Sequence, residues 1–271
     1  MTGGHLLREH APISDSAWQL LDDEARTKLT VSLGARAVVD FAGPHGWEHS
    51  ATSLGRVESI AGSGMDDVEI SRRVVLPVCE LRADFQVARA ELANHDRGAV
   101  DIDLDDLQAA ALRIASAENL AVFHGADAAG IVGLTGASAH VPIPRVVNFD
   151  DYPSRVAKAV ETLLRGGVGG PFALALGPSD YTAVIETAEN GGFPMADHIR
   201  SIIDGPLVWA PGVRGAVVAS TRGGDFLFES GQDFSIGYRS HDDAVVHLYL
   251  QESSSFSVAT PEAAVALAEL A

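Results

Sequence analysis

Arg56-Val57-Glu58-Ser59-Ile60, then Gly62-Ser63-Gly64, then Val68-Glu69-Ile70-Ser71, form the segment on which the fold turns. Apolar and polar residues alternate on both sides of a glycine tip, which is the pattern of a hairpin. The alternation extends outward to Trp47 and Leu76, so the hairpin is a long two-stranded arm. An isolated ribbon is marginal in water and needs another surface to pack on. A sheet in the same chain would serve, and so would a partner subunit.

On the N-terminal side of the arm, Gly43-Pro44-His45-Gly46-Trp47 reads as a turn and Ala37-Val38-Val39-Asp40-Phe41 as a short strand. Further back, Trp18, Leu21, Ala25, Leu29 and Leu33 recur at spacings of three and four, which predicts a helix with one apolar face. Ser14 is its expected cap, Asp15 suits the first turn, and Ile13 and Trp18 stand at the staple positions. Gly34 is the expected helix stop. On the C-terminal side, Val75 to Leu92 reads as extended and Asp101 to His124 as a helix, with Leu104, Leu107, Ala111 and Ile114 on one face. Gly125 to Gly136 reads as a loop of small residues.

A second block begins near Asn148. Pro153 opens a helix to Arg165, Pro178 opens another through Ala188, and a third spans Met195 to Ile203. Phe172 to Leu176, Leu207 to Trp209 and Ala216 to Ala219 read as strands. The closing region gives two more, Val245 to Gln251 and Ser255 to Val258. Helices and strands mix without regular alternation, so the class is α+β.

The 271 residues carry 19 basic and 37 acidic side chains, a net charge of −18. That balance disfavours general nucleic-acid binding, which requires phosphate neutralisation. No apolar run approaches the ~18 residues that span a bilayer. Met1 to His10 has no apolar h-region, which argues against a secretory signal. A single cysteine, Cys79, excludes an intramolecular disulfide. The basic residues are 17 Arg against two Lys, Lys28 and Lys158. Arginine is favoured at subunit interfaces, and a GC-rich genome produces the same bias.

The usual catalytic patterns are missing. Arg165-Gly166-Gly167-Val168-Gly169-Gly170 follows a helix and precedes a strand, the reverse of a phosphate loop. His45 and His49 are four apart, but Pro44 and Gly46 argue against a helical metal face there. No Gly-x-Ser-x-Gly occurs, and Cys79 sits in an apolar strand context. The expectation is no catalytic residue, no metal and no cofactor.

Several segments, taken in order, resemble the encapsulin (linocin-type) family of shell proteins. They are Leu6-Leu7-Arg8-Glu9-His10-Ala11-Pro12-Ile13-Ser14 with Ala17-Trp18, then Arg36-Ala37-Val38-Val39-Asp40 and Gly43-Pro44-His45-Gly46-Trp47-Glu48. Glu91-Leu92, Asp96-Arg97-Gly98, Phe123-His124-Gly125 and Gly130-Ile131-Val132-Gly133-Leu134 continue the likeness. Arg222-Gly223-Gly224-Asp225-Phe226, Gly231-Gln232-Asp233-Phe234-Ser235-Ile236-Gly237-Tyr238 and Leu248-Tyr249-Leu250-Gln251-Glu252 complete it. The resemblance spans nearly the whole chain in order and spacing.

The resemblance implies an α+β fold of the HK97 phage-capsid type. Its parts are a peripheral domain (1–46, 77–140 and 222–271), an extended arm or E-loop (47–76) and an axial domain (141–221). It implies an icosahedral homo-oligomer, a T = 1 shell of about 60 subunits, in the cytoplasm. The shell would enclose a cargo enzyme such as a dye-decolorising peroxidase or a ferritin-like protein, and bind neither nucleic acid nor membrane. The cargo would dock by a C-terminal peptide on Leu29, Leu33, Val38, Phe234 and Ile236, with Arg36, Asp40 and Asp233 at the polar ends. Ordinary core packing would place Leu29, Leu33 and Ile236 in the same way. The resemblance also implies that Ala188 to Phe193 lines a five-fold pore, through Glu189, Asn190, Gly191 and Gly192. Two other readings compete. A viral or prophage capsid protein would share the fold, but −18 is a poor lining for DNA. A soluble α+β hydrolase would need a site that no motif reveals.

Overall fold

The computed structural model describes residues 4–60, 66–145, 149–187 and 194–268. The first helix, α1 (Asp15–Ser32), starts where Ser14 Oγ accepts the N–H of Ala17 at 3.1 Å. It buries Trp18, Leu21, Ala25 and Leu29 on one face. Gly34 does not close it by a left-handed turn, as the sequence suggests: its φ is −62°. It is glycine because an added Cβ would lie 2.6 Å from the carbonyl oxygen of Trp209. A 3-10 turn, Ala35–Ala37, follows, so the expected strand shortens to β1 (Asp40–Ala42).

The arm is β2 (Ala51–Ile60) paired antiparallel with β3 (Ile70–Pro77). Ala51 faces Pro77 and Ile60 faces Ile70, with a bulge between Ser53 and Arg56. The expected Gly62-Ser63-Gly64 tip lies outside the described residues. Among the described residues these two strands pair only with each other, and Leu54, Val57, Ile60, Ile70 and Val75 are exposed along them.

After the arm come β4 (Cys79–Ala88), α2 (Arg89–Asp96), α3 (Asp105–His124) and α4 (Leu134–Ala137). The sequence reading runs the extended segment on to Leu92. α2 replaces its end, a helix that buries only Leu92 and so leaves little periodic signal. The chain continues with β5 (Ile143–Pro144), α5 (Tyr152–Arg165), β6 (Phe172–Leu176), α6 (Pro178–Glu186) and α7 (Met195–Ile203). It ends with β7 (Leu207–Trp209), β8 (Ala216–Ser220), β9 (Phe226–Ser230), β10 (Ser235–His241), β11 (Val245–Val258) and β12 (Ala264–Ala268).

Two five-stranded sheets organise these elements. The first runs β1-β9-β11-β10, with β4 on the other edge of β11. The two strands read at the end of the chain are one continuous β11, because its polar centre stays paired. Ser235 of β10 faces Gln251, Leu81 of β4 faces Glu252, and Ser230 of β9 faces Ser254. The second sheet runs β5-β12-β8-β6-β7, with α5, α6 and α7 packed on it. The sequence reading keeps 222–271 with the first block; β12, at the end of that stretch, pairs in the second sheet. The chain turns through Pro261–Ala263 and crosses to the second sheet, where Ala264 pairs with Ala219 and Leu267 with both Ala216 and Ile143.

Two cores form. Leu174, Leu163, Ile199, Ile203 and Val217 centre the one under the second sheet, which also takes in Phe226, Phe228 and Phe256 from the β9 end of the first sheet, while Leu21, Leu107, Ile114, Ile236 and Leu248 centre the other. Asn119 of α3 joins them. Its Oδ1 accepts the N–H of Ala35 at 2.8 Å, and its Nδ2 donates to Ser32 O at 2.8 Å and Pro211 O at 3.0 Å. Among the described residues, no helix is long and apolar enough to cross a membrane.

Candidate functional site

A groove of about 390 Å³ lies between α1 and β10. Ala25, Leu29 and Leu33 line it from the helix, one turn apart, as the 3.6-residue repeat requires. Phe234 and Ile236 line it from the start of β10, and Leu250 of β11 forms part of the floor. Leu29, Ile236 and Leu250 are buried, while Leu33 and Phe234 are half-buried. The floor of the groove is thus also core: Leu29, Ile236 and Leu250 belong to the cluster around Leu21 and Leu248.

The rim is charged. Arg8 grips Asp22 through two bonds of 3.2 and 2.7 Å, and its guanidinium stacks 4.0 Å above the Trp18 ring. Arg26 and Thr30 continue the rim along α1. The opposite end is Arg36 with Asp233. Arg36 Nε donates to both oxygens of Glu118, at 3.2 and 2.9 Å. Nη2 donates to Glu118 at 2.7 Å and Glu252 at 2.9 Å, and Nη1 donates to Asp233 at 2.8 Å. The rings of Phe41, Phe228 and Phe234 surround the guanidinium at 4.9, 5.3 and 4.9 Å. Arg36 is thus tied into the groove wall more than offered to a ligand.

The electrostatics of that wall follow from burial. Glu118 and Glu252 are 1 % and 0 % exposed. Burial pushes the Glu118 carboxyl up, and Arg36 pulls it only part of the way back. Burial, then the neighbouring Glu118 charge, pushes Glu252 well above the carboxylate range. For Arg36, burial works against the charge, but Glu118, Glu252 and Asp233 outweigh it and hold the guanidinium above its usual range.

Of the expected docking residues, the structure gathers Leu29, Leu33, Arg36, Asp233, Phe234 and Ile236. It does not gather Val38 or Asp40. Val38 belongs to the core of the second sheet. Asp40 is exposed and its Oδ2 accepts the N–H of Gly224 at 2.6 Å. Both lie beyond the 3-10 turn, which redirects the chain after Arg36. Sequence reading missed Arg8, Asp22, Arg26 and Glu118. Asp22 and Arg26 are spaced one turn before and level with the Ala25–Leu29 face, a signal that was available; Glu118 carried none. Glu189, Asn190, Gly191 and Gly192 lie outside the described residues. Among the described residues, no group of three or more His, Cys, Asp or Glu side chains could hold a metal ion.

The sequence pattern of the family described as "Encapsulating protein for peroxidase" matches residues 3–255. The chain belongs to this family. It is 48% identical over 267 residues to the type 1 encapsulin shell protein of Rhodospirillum rubrum, covering 97% of this chain and 95% of that one. It is 40% identical over 264 residues to the type 1 encapsulin shell protein of Brevibacterium linens, covering 97% and 98%. A virus-like particle from Pyrococcus furiosus superimposes with a TM-score of 0.63 at 15% identity, over 92% of this chain and 98% of that one. The capsid of an empty GTA particle gives 0.53 at 15% identity, over 88% and 90%. The fold is therefore the HK97-like capsid fold, built here as α+β. The family is structural and not catalytic, which removes the hydrolase reading.

Proposed function

We propose that copies of this chain close into an icosahedral T = 1 shell of about 60 subunits that encloses a cargo enzyme. The groove between α1 and β10 carries this reading: an apolar floor with charged ends is the form of a peptide-docking site. The cargo docks there by a C-terminal peptide whose apolar residues fill the floor along Leu29, Leu33 and Ile236. The family description favours a peroxidase over a ferritin-like protein. The arm lies across a neighbouring subunit, which covers its exposed Leu54, Val57 and Val75. The block on the first sheet is the peripheral domain, and the block on the second sheet, including β12, is the axial domain. The compartment stands in the cytoplasm.

The test is native mass with negative-stain imaging, followed by co-expression with a fluorescent reporter carrying the C-terminal tail of a peroxidase encoded beside the shell gene. Hollow megadalton particles that retain the reporter are expected. Leu33→Asp should keep the particles and lose the reporter, because a half-buried position tolerates the charge while the groove does not. A chain that stays monomeric overturns the shell, and undiminished loading in Leu33→Asp overturns the groove. Nuclease-protected DNA in the lumen would favour a viral capsid instead.

A further inference from the structure

Behind the groove, one guanidinium faces three carboxylates, and the two behind it are fully buried. Glu252 Oε2 accepts from Arg36 Nη2, but Glu252 Oε1 is buried and meets no donor among the described residues. Glu118 Oε2 and Glu252 Oε2 both accept from the same Arg36 Nη2, at 2.7 and 2.9 Å. Two ionised carboxylates held on one buried N–H group repel each other. A buried ionised oxygen with no donor is also costly. One proton on Glu252 removes both difficulties: the donorless oxygen becomes the donor, and Glu118 stays ionised against Arg36.

We propose that Glu252 is a positioning residue that stands as a neutral carboxylic acid, and that its single proton holds Arg36 and Asp233 in place at the polar end of the groove. The proposal rests on the groove being the docking site. With the proton, Arg36 balances Glu118, and Asp233 is the one further charge. Without it, two buried anions share one cation and compete for its N–H groups, so the grip on Asp233 loosens. Asp233 Oδ1 also accepts the N–H of Phe234 at 2.9 Å, and Phe234 lines the groove. The proton thus reaches Phe234 through three hydrogen bonds, by way of Arg36 and Asp233.

The charged groups that face Glu252 come from three elements: Glu118 on α3, Arg36 in the turn before β1, and Asp233 in the loop before β10. β4 presents uncharged Leu81 as its register partner, while Glu80 and Arg82 stand exposed on the opposite face. The folded group is raised above its unfolded value, so its stabilisation is complete in acid and is lost as pH rises through the folded value.

The experiment compares wild-type shells with Glu252→Gln and Glu252→Ala, loaded with the tailed reporter and brought from about pH 5 to about pH 10. Infrared spectra of the same shells read the carbonyl stretch of a protonated carboxylic acid. Wild type should show that band in the neutral range and lose reporter affinity by up to about tenfold per pH unit once the proton leaves. Glu252→Gln keeps a donor toward Glu118 and should hold the reporter with a flat pH profile and without the band. Glu252→Ala lacks the donor and should load poorly at every pH, so the amide rescues what the methyl group does not. A Gln variant that follows the wild-type profile, or a wild-type shell without the band, overturns the proposal. If no shell loads at any pH, the docking reading fails separately, and the band with the pH dependence of shell melting still decides the proton.

Discussion

The two sheets of this subunit bury different chemistry. In the second, β6, β8 and β12 are Phe172-Ala173-Leu174-Ala175-Leu176, Ala216-Val217-Val218-Ala219-Ser220 and Ala264-Val265-Ala266-Leu267-Ala268, almost all of it buried. In the first, the longest strand buries the polar run Gln251-Glu252-Ser253-Ser254-Ser255. Polar burial is tolerated only where partners exist, and here the partners sit at joints. Thr52 Oγ1 at the root of the arm meets Ser255 Oγ at 2.6 Å. Ser253 Oγ accepts the N–H of Gln232 at 2.8 Å beside the groove, and Glu252 holds Arg36. Among the described residues, four buried side-chain polar atoms have no hydrogen-bond partner, and three of them, Ser230 Oγ, Gln251 Nε2 and Glu252 Oε1, lie on this sheet. The second sheet is a packing layer. The first trades apolar packing for fixed connections to the arm and the groove.

The largest effect should come from breaking the polar seam at its one cation. Arg36→Ala leaves Glu118 and Asp233 without a counter-charge and takes from Glu252 Oε2 its donor. Removing one partner of a buried ionic group costs about 4 kcal/mol, although the intact group itself adds little over an apolar substitute. Thermal unfolding of purified particles should fall sharply, and reporter loading should be lost. A melting point within a degree or two of wild type would mean the seam is held by something other than this guanidinium.

Leu174→Ala is the matching break in the dry sheet. Leu174 is fully buried on β6, between Leu207 of β7 and Val218 of β8. Its loss should cost about 3 kcal/mol through a cavity the neighbouring strands cannot close. Loading by the surviving particles should be unchanged, since the groove belongs to the other core. Equal loss of loading in both variants would show that the two sheets do not divide the work.

What was legible in the sequence follows the same division. Phe172–Leu176, Met195–Ile203 and Leu207–Trp209 match their expected bounds, because an apolar layer writes its period directly into the residues. The seam did not. β11 reads as two strands since hydrophobicity lapses at Glu252 while backbone pairing continues through it. Glu118 gives no signal because its meaning depends on Arg36, 82 residues away. Leu29, Leu33 and Ile236 could be named from the resemblance, whereas the exclusion of Val38 and Asp40 depends on the turn at Ala35–Ala37. β12 was invisible for a related reason: an Ala-rich run fits a strand or a helix, and its sheet partner is fixed only by the crossover.

The smallest effect worth measuring is at the start of α1, where the groove-bearing helix is anchored. Ser14 Oγ accepts the N–H of Ala17 and donates to Asp96 Oδ1 at 2.6 Å. Ser14→Ala removes both bonds and should cost about 1 kcal/mol, as lost helix caps do. The Ser14 hydroxyl is also the main reason the Asp96 carboxyl sits below its usual range, with Ser16 adding to it. A carboxyl lowered by folding stabilises above the ordinary carboxylate range, and that contribution is lost as pH falls through the folded value. The gap between variant and wild type should therefore narrow in acid. Hydrogen exchange should quicken at the first turn of α1 and stay unchanged on β6 and β8, because the cap touches only the first core. Faster exchange across both sheets would mean that the joint at Asn119 transmits small losses, and that the seam and the packing layer unfold as one unit.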